Sequence, residues 1–173
     1  MITVSDSTPL IHFGTIKRLD LLRSLYGQIF ITEAVHREVV TEGIALGKMD
    51  AFLVGKAVDD WIEVVNPKGY AGEICNRYGI HIGEAESILL ARELDADLLL
   101  INERDGRRAA KNAGVKVKGT IGVISDCIER RILTAGAAAE ILIIFRDNPS
   151  EFWIDPEIID IAIKRIKKPI GIV

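Results

Sequence analysis

The chain has 173 residues, enough for one domain with a substantial core, and 49% of them are apolar. Its formal net charge of −3 excludes a generally basic, nucleic-acid-coating surface and leaves room only for a focused basic patch. Cys75 and Cys127 lack C-x-x-C spacing, which argues against a disulfide framework or zinc site, and no leader or bilayer-length apolar run is present, so a cytoplasmic protein without a membrane partner is expected.

Ile2-Thr3-Val4-Ser5 reads as a short buried strand. Ser7 or Thr8 then supplies a helix cap, with Pro9 already at helical φ in the first turn. Asp6 falls at the strand-to-helix corner, where open parallel sheets bind ligands, so it is either a metal ligand or nucleophile, or simply a cap. The apolar spacing of Leu10, Ile11, Phe13, Leu19, Leu21, Leu22 and Leu25 predicts two short helices ending at Gly27. Gln28 to Ile31 is a second strand, and Thr32 caps a helix whose inner side carries Val35, Val39 and Val40. Glu38 borders that apolar stripe, either solvated or projecting toward the sheet.

A helix from Met49 to Asp60 and a strand from Trp61 to Val65 follow, and then a short helix from Ala71 to Tyr78. Gly83 opens a longer helix to about Leu94, with Glu84 and Glu86 in its first turn, a placement that the helix dipole favours by itself. Leu98-Leu99-Leu100-Ile101 has the fully apolar character of a central strand buried on both faces. It ends in Asn102-Glu103-Arg104-Asp105-Gly106, a second acidic corner. A helix from Arg107 to Ala113, a strand at Val115-Lys116-Val117 and a helix through Ile121, Val123, Ile124 and Ile128 complete an alternating α/β pattern. Two further helices are expected, Ala135 to Phe145 and Pro156 to Lys168, with the Phe152 and Trp153 pair anchoring the second. The order of elements requires a mostly parallel sheet with helices on both sides, a three-layer α/β/α fold with added C-terminal helices.

Asp6, Glu38, Glu84, Glu103 and Asp105 all fall where a doubly wound sheet can direct them to one crevice. Crowded carboxylates repel and raise one another's pKa unless a cation compensates them, and hard oxygen ligands suit Mg²⁺ or Mn²⁺, one ion or two. Such a site suits phosphodiester hydrolysis. Arg104, Arg107, Arg108 and Lys111 follow the second acidic corner, either as a grip on a phosphate backbone or as a solvated helix face. His12, His36 and His81 have no metal-ligand spacing and read as structural or surface residues.

Ser5-Asp6-Ser7-Thr8-Pro9-Leu10-Ile11, Glu38, Gly83-Glu84-Ala85-Glu86, the run from Leu99 to Ala110 and Gly119-Thr120-Ile121-Gly122-Val123 together resemble the PIN-domain family, and within it the VapC-like, DUF3368-type branch. The resemblance covers about residues 1–133, implying a PIN-like domain there and a helical C-terminal extension over 134–173 packed on the same domain. It implies a metal-dependent ribonuclease, the toxin of a toxin–antitoxin pair and a homodimer. Asp6, Glu38 and Glu84 would be the first three metal-ligating acids and Glu103 or Asp105 the last, with Glu86 in reserve, while Ser7 joins the basic group at the RNA. The chain departs from the family in having Glu103 where many members have aspartate, and Ile101 where they have Thr or Ser. Those departures support a second reading, a PIN-like binding or scaffold protein that does not cleave. A phosphotransferase with Asp6 as nucleophile is a third, disfavoured because residue 8 of the expected Asp-x-Asp is Thr8.

Overall fold

A computed structural model describes residues 1–167; the helix end expected at Lys168 lies outside the described residues. Two compact units divide the chain, Met1–Thr120 and the stretch from Ile121 onward.

The first unit is built on five parallel strands in the order β3-β2-β1-β4-β5. These are β1 (Thr3–Ser5), β2 (Ile29–Ile31), β3 (Ile62–Val64), β4 (Leu98–Leu100) and β5 (Val117–Lys118). Val4 pairs with Phe30 on one side and with Leu99 on the other, so β1 is the centre of the sheet. The chain runs outward from β1 through β2 to β3 and then returns to lay β4 on the opposite flank. That reversal creates a topological switch point between β1 and β4, where a crevice opens beyond the strands' carboxyl ends. β4 is buried along its whole length, as its unbroken apolar run predicts. The fifth strand begins two residues later than the expected Val115, because Val115 serves the core while Val117 and Lys118 pair with Leu99 and Leu100.

Right-handed crossovers put α1 (Ser7–Thr15), α2 (Leu19–Tyr26) and α5 (Met49–Val58) on one face of the sheet, where α1 packs on α5. The same rule puts α6 (Gly72–Tyr78), α7 (Ile82–Glu93) and α8 (Arg104–Asn112) on the other, with α7 lying over β1 and β4. Val4, Leu99, Ile101, Ala85, Ile88 and Ala110 form the heart of the core between β1, β4 and this second helical layer. Between β2 and β3 the chain is helical in three pieces: α3 (Glu33–His36), a π-helical segment (Arg37–Glu42) and α4 (Gly43–Ala45). Thr32 caps α3 as expected, its side chain accepting from the Val35 amide. α3 also meets α7, so the two helical layers touch beside the crevice.

The second unit contains most of α9 (Thr120–Glu129), then α10 (Ala135–Asp147), α11 (Pro149–Phe152) and α12 (Pro156–Lys167). α10 packs on α11 and α12, with the Phe145 and Phe152 rings 4.5 Å apart at their centroids. The expected Phe152–Trp153 anchor reduces to Phe152. Trp153 takes a left-handed backbone at φ 47° and stands exposed, because the chain must reverse there between two helices. Among the described residues no helix is long and apolar enough to cross a membrane.

Candidate active site

Asp6 occupies the N-cap position of α1, yet its carboxylate makes no capping hydrogen bond. The cap describes its place in the chain and not the work of its side chain. Its backbone amide donates to the Leu100 carbonyl at 2.9 Å, which ties the corner after β1 to the end of β4. Only 4% exposed, the carboxyl is pushed well above the ordinary carboxylate range, first by burial and next by Glu103. The Ser7 amide lowers it, while Glu84 and Glu38 raise it further. Four acids from four separate segments therefore act on one another electrostatically.

Ser7 and Thr8 are not the caps that their residue types suggest. Ser7 Oγ donates to Glu38 Oε2 at 2.7 Å, and Thr8 Oγ1 donates to Glu103 Oε1 at 2.7 Å. Each hydroxyl thus steadies one of the two exposed acids beside the buried Asp6. Glu38 reaches this position from the π-helical segment. With one residue more per hydrogen-bonded turn than an α-helix, the segment also brings Arg37 and Glu42, five positions apart, to the same cleft.

Glu84 divides its two oxygens between fold and cleft. Oε2 accepts from the His81 amide at 3.0 Å and so caps α7, where the helix dipole also favours an acid, but Oε1 is buried with no hydrogen-bond partner. Burial raises the Glu84 carboxyl, the His81 amide lowers it, and Glu103 and Asp105 raise it. Gly106 makes room for this carboxylate: a Cβ there would collide with Glu84 Oε1 and lie 2.6 Å from Ile101 Cδ1. Gly106→Ala is accordingly expected to cost about 1–3 kcal/mol by overpacking, read as a lower midpoint in chemical denaturation.

The cleft encloses about 420 Å³ and is lined by Asp6, Ser7, Glu38, Glu84 and Glu103 among others. Asp105 is not brought into it. α8 starts at Arg104, three residues earlier than expected, which turns Asp105 outward to pair with Arg108 at 3.2 Å. Glu86 lies outside the cleft as well and acts on the Cys75 thiol instead. Arg104, Arg108 and Lys111 share the exposed face of α8, whereas Arg107 is half-buried and turned back toward the Ile101 carbonyl at 3.4 Å.

Reading the residues alone missed Arg37, His81 and Asn102. The first two line the cleft. Asn102, immediately before Glu103, is a hub: its Oδ1 accepts from the Thr120 amide at 2.8 Å, and its Nδ2 donates to Thr120 Oγ1 at 3.1 Å. Thr120 Oγ1 lies 3.0 Å from Nδ1 of the fully buried His12, which confirms a structural role for that histidine. Removing the hub in Asn102→Ala strands the Thr120 amide and is expected to cost about 1–3 kcal/mol, measurable by urea titration.

The donor chemistry fits a hard divalent cation. Asp6 and Glu84 are buried carboxyls that their acidic neighbours push toward protonation, and Glu84 Oε1 has unused lone pairs. Among the described residues the acids line an open cleft and do not close on one point as a three-ligand cage.

A model of the PIN domain, of the DUF3368 type, matches residues 2–168. The chain belongs to the PIN-domain family. The match runs well beyond Leu133. PIN domains are generally nucleases and generally use divalent metal ions. Among solved structures the chain is similar to a PilT N-terminus domain protein from the hyperthermophilic archaeon Sulfolobus solfataricus P2, at 21% identity and a TM-score of 0.51. That similarity covers 75% of this chain and 95% of the other, and it concerns the fold. No curated protein matches the chain.

Proposed function

We propose that this PIN domain is a metal-dependent endoribonuclease that hydrolyses phosphodiester bonds in single-stranded or looped RNA. The observation that carries the reading is the buried Asp6 carboxyl at the switch point, lining one cleft with Glu38, Glu84 and Glu103. Asp6, Glu38, Glu84 and Glu103 would hold Mg²⁺ or Mn²⁺. Glu103 is preferred over Asp105 because Thr8 steadies it at the cleft while Asp105 pairs with Arg108. When bound, a divalent cation supplies an activated water and neutralises charge at the phosphodiester.

The remaining work belongs to the chain. Ser7 and Thr8 orient the two exposed acids, the Asp6 amide pins the first corner to β4, and the narrow cleft admits an unstacked strand more readily than a stiff duplex. Arg104, Arg108 and Lys111 offer phosphate contacts on the adjoining helix face. The resemblance to VapC-like proteins extends this reading to a toxin's role, a homodimer, and an antitoxin that blocks the cleft with a basic side chain among the acids.

Incubating a mixed RNA pool with the purified protein, with Mg²⁺ or Mn²⁺ and in parallel with a chelator, tests the proposal. Cleavage that requires the metal is expected. Intact RNA in the presence of bound metal would instead favour the binding or scaffold reading, which Ile101 supports: fully buried beside the acidic corner, it offers no hydroxyl there.

A further inference from the structure

The first unit carries a second groove, away from the acidic cleft, between the outer ends of α6, α7 and α8. It encloses about 340 Å³, within the range of small-ligand sites. Ile74, Ile88 and Ala113 give it an apolar floor, and Arg77 and Arg92 stand at its rim. Elsewhere on the surface Arg18, Arg23, Arg108 and Arg146 each meet an aspartate at ion-pair distance. Arg77 and Arg92 have no such partner among the described residues, although Glu73 lines the same groove. The Arg77 guanidinium lies 5.4 Å from the centroid of the Tyr78 ring, a stack that leaves its donors available for a phosphate. Beside it, Asn112 Nδ2 and the Tyr78 hydroxyl lie 3.4 Å apart and offer a polar edge to a base.

Position adds to chemistry. Along α7, Arg92 is about 12 Å from Glu84 at 1.5 Å per residue, so a short strand seated in the acidic cleft reaches the groove. α8 runs from Arg104 to Asn112, with Arg104, Arg108 and Lys111 exposed along it and Asn112 lining the groove at its end. We propose that this groove is a subsite for one nucleotide of a single-stranded RNA substrate, with Arg77 and Arg92 on its phosphate and the base against Ile74, Ile88 and Ala113.

The proposal rests on the nuclease reading, and its test separates the two. Binding of a fluorescent single-stranded RNA is followed by anisotropy in EDTA across a salt series, for the native chain, for Arg77→Gln with Arg92→Gln, and for Ala113→Phe, which fills the groove without changing charge. A Mn²⁺ thermal shift, run on every variant, reports that the fold and the acidic cleft are intact. Expected are an affinity loss of about tenfold or more in the double variant and a salt slope smaller by roughly 1.4, the value for two single-strand phosphate contacts. Ala113→Phe should also weaken binding but leave the slope in place. Unchanged RNA affinity in the double variant, with cleavage by the native chain intact, overturns the subsite and spares the nuclease. Unchanged affinity in Ala113→Phe overturns the groove and reduces the arginines to diffuse charge. Stabilisation of the native chain by adenosine or guanosine monophosphate, lost in the double variant while RNA binding persists, overturns the strand subsite in favour of a free-nucleotide site. Failure of the native chain both to bind and to cleave RNA overturns the subsite together with the nuclease reading.

Discussion

Asp6→Asn is expected to lower metal-dependent RNA cleavage by roughly 10²–10³-fold while making the metal-free protein more stable. The two effects share a cause. Asp6 is nearly inaccessible to water and faces three other acids, so its ionised form is disfavoured in the folded chain. An acid whose folded pKa is raised binds its proton more tightly folded than unfolded. Stability is then lost as pH rises from the ordinary carboxylate value near 4 through the raised one, and the full penalty is present above it. Asparagine keeps the shape and removes the charge, which should recover stability at neutral pH. Thermal melts of both proteins in EDTA between about pH 5 and pH 8 check the sign: the native melting temperature falls with pH more steeply than that of Asp6→Asn. A variant that loses cleavage and also loses stability would point instead to a structural role for the carboxylate.

Leu99→Ala should give the largest loss of stability, about 2–5 kcal/mol, or roughly 5–15 °C in melting temperature for a domain of this size. Leu99 is fully buried in a strand covered on both faces, and its backbone register joins Val4 on one flank to Val117 on the other. Truncation leaves a cavity that the crossing helices cannot close without shifting the strands that present the acids. The change is readable by calorimetry, and at a temperature where the variant remains folded its Mn²⁺ binding should persist.

These two positions were the most legible in the sequence. An unbroken apolar run from Leu98 to Ile101 has few uses other than a central parallel strand, and an acid directly after a β-branched segment marks the strand's carboxyl corner. What escaped was decided by geometry that residue types do not encode. Ser7 and Thr8 have the chemistry of caps, but the β1–α1 corner puts Asp6 in the capping place and frees both hydroxyls for Glu38 and Glu103. The π-helical segment has no periodicity of its own in the sequence, so the facing of Arg37 and Glu42 was invisible. The early start of α8 separated Glu103 from Asp105, two acids that spacing alone cannot rank. Asn102 carries no signal of its own in the acidic corner, because its partner Thr120 lies 18 residues away.

The pairing of Thr8 with Glu103, 95 residues apart, has a consequence in time. During translation at about 5–20 residues per second, Asp6 is made roughly 5–20 s, and Glu38 roughly 3–12 s, before β4 exists to receive them. Closing so long a loop is entropically costly and rewards nothing until β4 pairs with β1, so the acidic crevice is completed late. A nascent chain arrested before Leu98 carries three of the four acids, Asp6, Glu38 and Glu84, and no switch point. The topology that gathers the acids thereby delays their assembly until most of the first unit has been synthesised.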